Sequence, residues 1–181
     1  MSEELEVLKT VAQRLEAAGI PYMVTGSMAV NYYAVPRMTR DIDLVVELSV
    51  EDVDRIYRIF HEDFYVDRGV VRRAIEETGM FNIIHSAFVL KVDLVVRKNT
   101  DYRREEFSRR RPVSIEGGRF FIVAPEDLIL SKLDWARDTR SEVQLADVRN
   151  LLTCMAELDH AYLASWASRL GLDALYRAVT G

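Results

Sequence analysis

Asp41 and Asp43 stand two residues apart in the run Asp41-Ile42-Asp43-Leu44-Val45-Val46-Glu47, which reads as a strand. Alternation along a strand turns both carboxylates to one face while Ile42 and Leu44 point into the core. Two like charges held so close favour a cation between them. A hard ion such as Mg2+ (or Mn2+) takes one or two protein carboxylates and leaves positions for substrate phosphates. Upstream, Gly26-Ser27 lies at a predicted strand-to-helix turn, where free N–H groups and the helix dipole favour phosphate and a glycine lets the backbone approach it. Downstream, Asp93 interrupts the apolar run Lys91-Val92-Asp93-Leu94-Val95-Val96, a position costly to bury without a partner or a function. A D-x-D alone also fits a solvated strand face; the three features together point to phosphate chemistry.

A second group comes from helical periodicity. Lys132 falls at the centre of the apolar stripe formed by Leu128, Ile129, Trp135 and Ala136, and Asp147 falls among Val143, Leu151, Cys154 and Leu158. A charge facing a core needs a partner or a cavity. Either the two residues pair and lock two helices together, or Lys132 reaches nucleotide phosphates with Asp147 orienting it. Arg40, beside the acid pair, can balance its charge or touch phosphate. Seven basic residues between Arg97 and Arg111 could meet a nucleic acid, but such runs are usually solvated faces. Tyr32, Tyr33, Cys154 and Trp166 read as packing residues, and His85 as an ordinary strand residue.

The elements that position these groups are also legible. Leu5, Leu8, Val11, Ala12 and Leu15 predict an amphipathic helix stopped by Gly19. A strand over Tyr22 to Gly26 follows, then a helix opening at Ser27 as its N-cap, the strand from Asp41, and a helix after Ser49. A helix over Val70 to Glu77, strands over Phe81 to His85 and Phe88 to Val96, and a hairpin around Glu116-Gly117-Gly118 come next. From Pro125 the pattern is helical in three or four pieces. Strands mixed with helices, then helices alone, predict an α+β (mixed α/β) fold. The expected division is a core over 1–123 with C-terminal helices over 124–181 packed on it.

The chain has 181 residues, 49% hydrophobic, with 24 Lys and Arg against 29 Asp and Glu and a net charge of −5. That balance argues against wholesale adhesion to nucleic acid or anionic membrane. Its apolar runs fall far short of the roughly 18 residues that span a bilayer. One cysteine and a start, MSEELEVLKT, without a signal-peptide pattern predict a cytoplasmic protein. With three scattered histidines there is no zinc spacing, so any metal is held by oxygen.

The pieces V-T-G-S, then thirteen residues from Met28 to Arg40, R-D-I-D-L-V and K-V-D-L-V resemble the polymerase-beta-like nucleotidyltransferase superfamily. With the tail P-E-D-L-I-L-S-K-L-D-W-A the chain looks like the small prokaryotic nucleotidyltransferases that include abortive-infection-type toxins. The resemblance covers about Pro21 to Asn150. It implies a mixed sheet flanked by helices, Asp41, Asp43 and Asp93 as catalytic and metal-binding residues, and Gly26 and Ser27 at the nucleotide phosphates. Relatives also carry a lysine in the helix of Lys132 and an acid in the next, which favours the phosphate-binding reading of that pair. The expected activity is metal-dependent transfer of a nucleoside monophosphate from an NTP to a hydroxyl of tRNA, protein or a small molecule. Two alternatives stand beside it. One is a toxin that modifies RNA or protein and is silenced by an antitoxin. The other is a non-catalytic nucleotide-binding module, against which three mutually repelling acids argue.

Overall fold

The apolar spacing at the start of the chain builds helix α1 (Glu3–Ala17), whose Leu5, Leu8, Val11, Ala12 and Leu15 are all buried. Ser2 caps it, its side chain accepting a hydrogen bond from the Leu5 N–H at 3.3 Å. Strand β1 (Tyr22–Thr25) runs directly into α2 (Gly26–Tyr33), and a loop returns the chain to β2 (Ile42–Val46). Then follow α3 (Val53–Phe60), β3 (Phe64–Tyr65), α4 (Arg68–Glu76), the hairpin of β4 (Met80–His85) and β5 (Leu90–Val96), α5 (Asp101–Ser108), and the hairpin of β6 (Arg111–Ile115) and β7 (Gly118–Ile122). Helices close the chain: α6 (Pro125–Thr139), α7 (Glu142–Cys154), α8 (His160–Arg169) and α9 (Asp173–Thr180). This computed structural model describes residues 2–181.

The strands form one seven-stranded mixed sheet in the order β3-β4-β5-β2-β1-β7-β6, an α+β fold as expected. At its centre β2 runs antiparallel to β1 and parallel to β5. A parallel pair needs a long crossover, here supplied by the chain between Glu47 and Val89. Ile42, Leu44 and Val46 stand in register with Val92, Leu94 and Val96, and all six are buried. Burying side chains of this size contributes roughly 1.5–3 kcal/mol each, so the register of β2 against β5 is strongly specified. The alternate positions, Asp43 and Val45 on β2 and Lys91, Asp93 and Val95 on β5, share the other face.

Some expectations need correction. Strand β2 begins at Ile42, so Asp41 lies one residue outside it. Helix α2 starts at Gly26 with Thr25 in the cap position, and Ser27 is buried within the first turn rather than capping it. Two-residue β3 is too short for periodicity to reveal. Cys154 is exposed, as are Trp135 and Val143: α7 buries only a narrow stripe at Asp147, Val148 and Leu151, and α6 buries all its apolar residues except Trp135.

The run from Arg97 to Arg111 is not simply a solvated face. Five of its seven basic residues form ion pairs: Arg97 with Glu47, Arg103 with Glu106, Arg104 with Asp101, Arg109 with Asp127, and Arg111 with Glu126. Tyr162 of α8 donates to the same Asp127 at 2.6 Å, tying the last helices to this cluster. Trp166 packs on Tyr102 with ring centroids 5.1 Å apart, and His85 sits between Phe64 and Phe88. Tyr33 is half-buried with its hydroxyl donating to the Val123 carbonyl, whereas Tyr32 is exposed. No helix among the described residues is long and apolar enough to cross a membrane.

Candidate active site

The turn from β1 into α2 sets the site. Thr25 pairs with Asp43 across β1 and β2, and Asp43 with Asp93 across β2 and β5, so three neighbouring strands deliver Gly26, Asp43 and Asp93 to one place. Gly26 has φ +62°, and a Cβ on it would fall 2.1 Å from Asp43 Oδ2. Glycine is thus required both by the backbone conformation and by the carboxylate beside it. Gly26→Ala is expected to cost more than about 1 kcal/mol of stability and to displace Asp43; thermal melting reads the cost.

Asp93 is buried, with Oδ2 accepting from the Lys91 ammonium at 2.8 Å and Oδ1 left without a hydrogen-bond partner. Burial, and then the fields of Asp93 and Asp41, push the Asp43 carboxyl above the usual carboxylate range, against the opposing pull of Lys132 and Lys91. Asp41 is exposed beside the strand end, its N–H donating to the Thr39 hydroxyl at 3.1 Å. Among the described residues no three His, Cys, Asp or Glu side chains are gathered closely enough to form a ready-made metal cage. The donor set nevertheless fits one kind of ion. A buried, unpartnered carboxylate oxygen next to a second carboxylate suits a hard divalent cation that takes one or two protein oxygens and the rest from water and phosphate.

A cationic group adjoins the same turn. Lys132 is buried, and its Nζ donates to Asp147 Oδ2 and Gln144 Oε1, each at 2.8 Å. Asp147 also accepts from Arg37, through Nε at 2.9 Å and Nη2 at 3.0 Å, and Arg37 Nη2 donates to Ser27 Oγ at 2.6 Å. A continuous chain, Ser27–Arg37–Asp147–Lys132, therefore joins the Gly-Ser turn to α6 and α7. Burial works to raise Asp147, but the hydrogen bonds from Arg37 and Lys132 outweigh it and hold its carboxyl below the usual range. Burial holds the Lys132 ammonium below its ordinary value despite Asp147.

Arg37 and Gln144 do not stand out in the sequence. Arg37 lies in a loop, where no periodicity marks a facing direction. Asn31 fixes it by accepting from the Arg37 N–H at 2.9 Å and donating to its carbonyl at 2.8 Å, and Asn150 anchors the same loop at the Val35 carbonyl. Gln144 carries a weak signal, three residues before Asp147 on one helix face. Arg40 is exposed and makes no hydrogen bond or ion pair among the described residues; it lines, with Met28, Tyr32, Arg37 and Met38, a cavity of about 660 Å3. A second cavity, of about 370 Å3 between α1 and α3, contains none of the candidate residues.

A family model described as a nucleotidyl transferase of unknown function (DUF2204) matches residues 4–163. The chain belongs to this nucleotidyltransferase family. Solved structures agree on the fold of this nucleotidyltransferase. A candidate nucleotidyltransferase from Thermotoga maritima is 21% identical with a TM-score of 0.56, over 78% of this chain and 89% of that one. The lincosamide antibiotic adenylyltransferase LnuA, solved with lincomycin, is 11% identical with a TM-score of 0.55, over 86% of this chain and 98% of its own. ANT(2'')-Ia, solved with adenylyl-2''-tobramycin, is 15% identical with a TM-score of 0.53, over 100% of both chains. No curated protein matches the chain.

Proposed function

We propose that this nucleotidyltransferase moves a nucleoside monophosphate from an NTP to a hydroxyl of a small molecule, using a divalent ion held by Asp43 and Asp93 with Asp41 beside them. The observation that carries the reading is the in-register pair Asp43–Asp93 at the Gly26 turn, with Asp93 Oδ1 buried and unpartnered. A bound Mg2+ or Mn2+ would supply Lewis-acid polarisation at the α-phosphate. The chain's own groups do the rest. N–H groups in the first turn of α2 and the Ser27 hydroxyl donate to phosphate oxygens, which Gly26 allows to approach closely. Arg37 and Lys132 balance their charge, and Asp147 holds both cations in place. Asp93 takes the proton of the attacking hydroxyl as its oxygen bonds to the α-phosphorus and the bond to pyrophosphate breaks.

Two observations favour a small-molecule acceptor. The basic run that would support an RNA acceptor is largely spent on internal ion pairs. The cavity of about 660 Å3, lined by Arg37 and Arg40 though by none of the three acids, lies within the size range of small-molecule sites, roughly 300–1,000 Å3. Adenylyltransferases of the same fold bound to lincomycin and adenylyl-tobramycin support the same class.

The test is NTP titration with and without Mg2+ or Mn2+. Wild type is expected to bind NTP more tightly with the ion, and Asp41→Asn or Asp43→Asn to lose that dependence. Because folding raises the Asp43 pKa, its ionised form costs stability above its unfolded value, and the ion-free protein gains stability as pH falls through the folded value. Asp43→Asn should therefore melt higher than wild type at pH 7 without metal. Unchanged metal-dependent binding in both variants rejects the assignment.

A further inference from the structure

Lys91 and Asp93 are two apart on β5, so their side chains share the sheet face that carries Asp43. The Lys91 ammonium lies 2.8 Å from Asp93 Oδ2, while the other oxygen of that carboxylate is buried and unpartnered. The Lys91 side chain is 49% exposed against 11% for Asp93. Packing therefore does not hold the lysine there; the acid's charge does, and a half-exposed pair of this kind is exchanged at little cost. With Asp41 and Asp43 nearby, the acids carry three negative charges and Lys91 supplies one positive charge from within the chain.

We propose that Lys91 is a built-in counter-cation of the acidic site, which holds Asp93 in the nucleotide-free protein and yields its place when a divalent ion arrives with the nucleotide. This rests on the metal-dependent reading above. The consequence is an ordering of ligands. A free divalent ion at Asp93 Oδ1 meets the repulsion of the ammonium already on Oδ2, so its affinity is low when it comes alone. NTP phosphates add negative charge that draws the ion in and offer the released ammonium an anionic partner. Lys91 thus acts through Asp93, as a positioning residue that ties metal loading to nucleotide arrival.

The experiment is a Mn2+ titration followed by electron paramagnetic resonance, on wild type, Lys91→Met and Lys91→Arg, each with and without a non-hydrolysable NTP analogue, alongside thermal melting. Without nucleotide, Lys91→Met is expected to bind Mn2+ about thirtyfold more tightly than wild type, the effect of removing one unit charge roughly 4 Å from a divalent ion in a watery setting. It should melt below wild type without metal and recover with Mn2+, whereas Lys91→Arg should follow wild type. With the analogue present, the difference in Mn2+ affinity should narrow. Lys91→Gln repeats the comparison if methionine perturbs the fold. Equal or weaker Mn2+ binding by the neutral variants, with normal binding by wild type, overturns the role of Lys91 and leaves the metal site standing. Absence of Mn2+ binding by wild type with the analogue overturns both.

Discussion

An Asp93→Asn variant is expected to bind NTP with Mg2+ more weakly than wild type, having lost one ligand of the ion, and to transfer nucleotide at least about 10²–10⁴-fold more slowly even at saturation, the usual worth of a positioned general base. The expectation follows from where β5 puts this residue. Asp93 reaches the site from a different strand than Asp43 does, and one of its carboxylate oxygens is buried without a partner. Asparagine keeps the shape and removes both the charge and the proton-accepting capacity. Since the variant also relieves repulsion with Asp43, its melting temperature should not fall. Single-turnover transfer and NTP binding, measured side by side, separate the two effects. Normal turnover by Asp93→Asn in an assay where Asp41→Asn is inactive makes Asp93 a structural strand residue.

Asp147→Ala has the largest expected effect on stability. Asp147 is 3% exposed and accepts from both Lys132 and Arg37. Removing it leaves the buried Lys132 ammonium with Gln144 alone and the Arg37 guanidinium with Ser27 alone, so a cost of about 3–5 kcal/mol is expected. For a chain of this size that lowers the melting temperature by roughly 6–20 °C. Lys132→Met is a milder change, because Asp147 keeps its two hydrogen bonds from Arg37. It should cost less than half as much while weakening NTP affinity. Similar melting of the two variants by calorimetry shows that Arg37 does not compensate the buried acid.

The β2 and β5 segments show how much of the site is legible from residue type alone. Their apolar alternation fixes which face each residue takes, and so gathers Asp43, Asp93 and the Gly26-Ser27 turn at one site. The inward positions of Lys132 and Asp147 likewise follow from a period of 3.6 residues. The partner of each charge is not legible in this way. In the sequence Lys132 and Asp147 read as a pair or as a phosphate grip, whereas in the fold Asp147 is shared with Arg37, from a loop without periodicity. Likewise, the run from Arg97 to Arg111 looks like a charged surface until its partners appear. Glu106, Glu126 and Asp127 are buried acids brought near it by α5 and α6. The exposure of Cys154 and Trp135 has the opposite cause, since a helix end or edge can be apolar in sequence and still find nothing to pack against.

The most direct measurement is to incubate the protein with each α-labelled NTP and Mg2+ in a cell extract and follow the label and pyrophosphate together. The account predicts that wild type moves label from at least one NTP to a small-molecule fraction with matching release of pyrophosphate, and that Asp43→Asn does neither. Label transfer that persists in Asp43→Asn, or no transfer from any NTP by wild type, contradicts it.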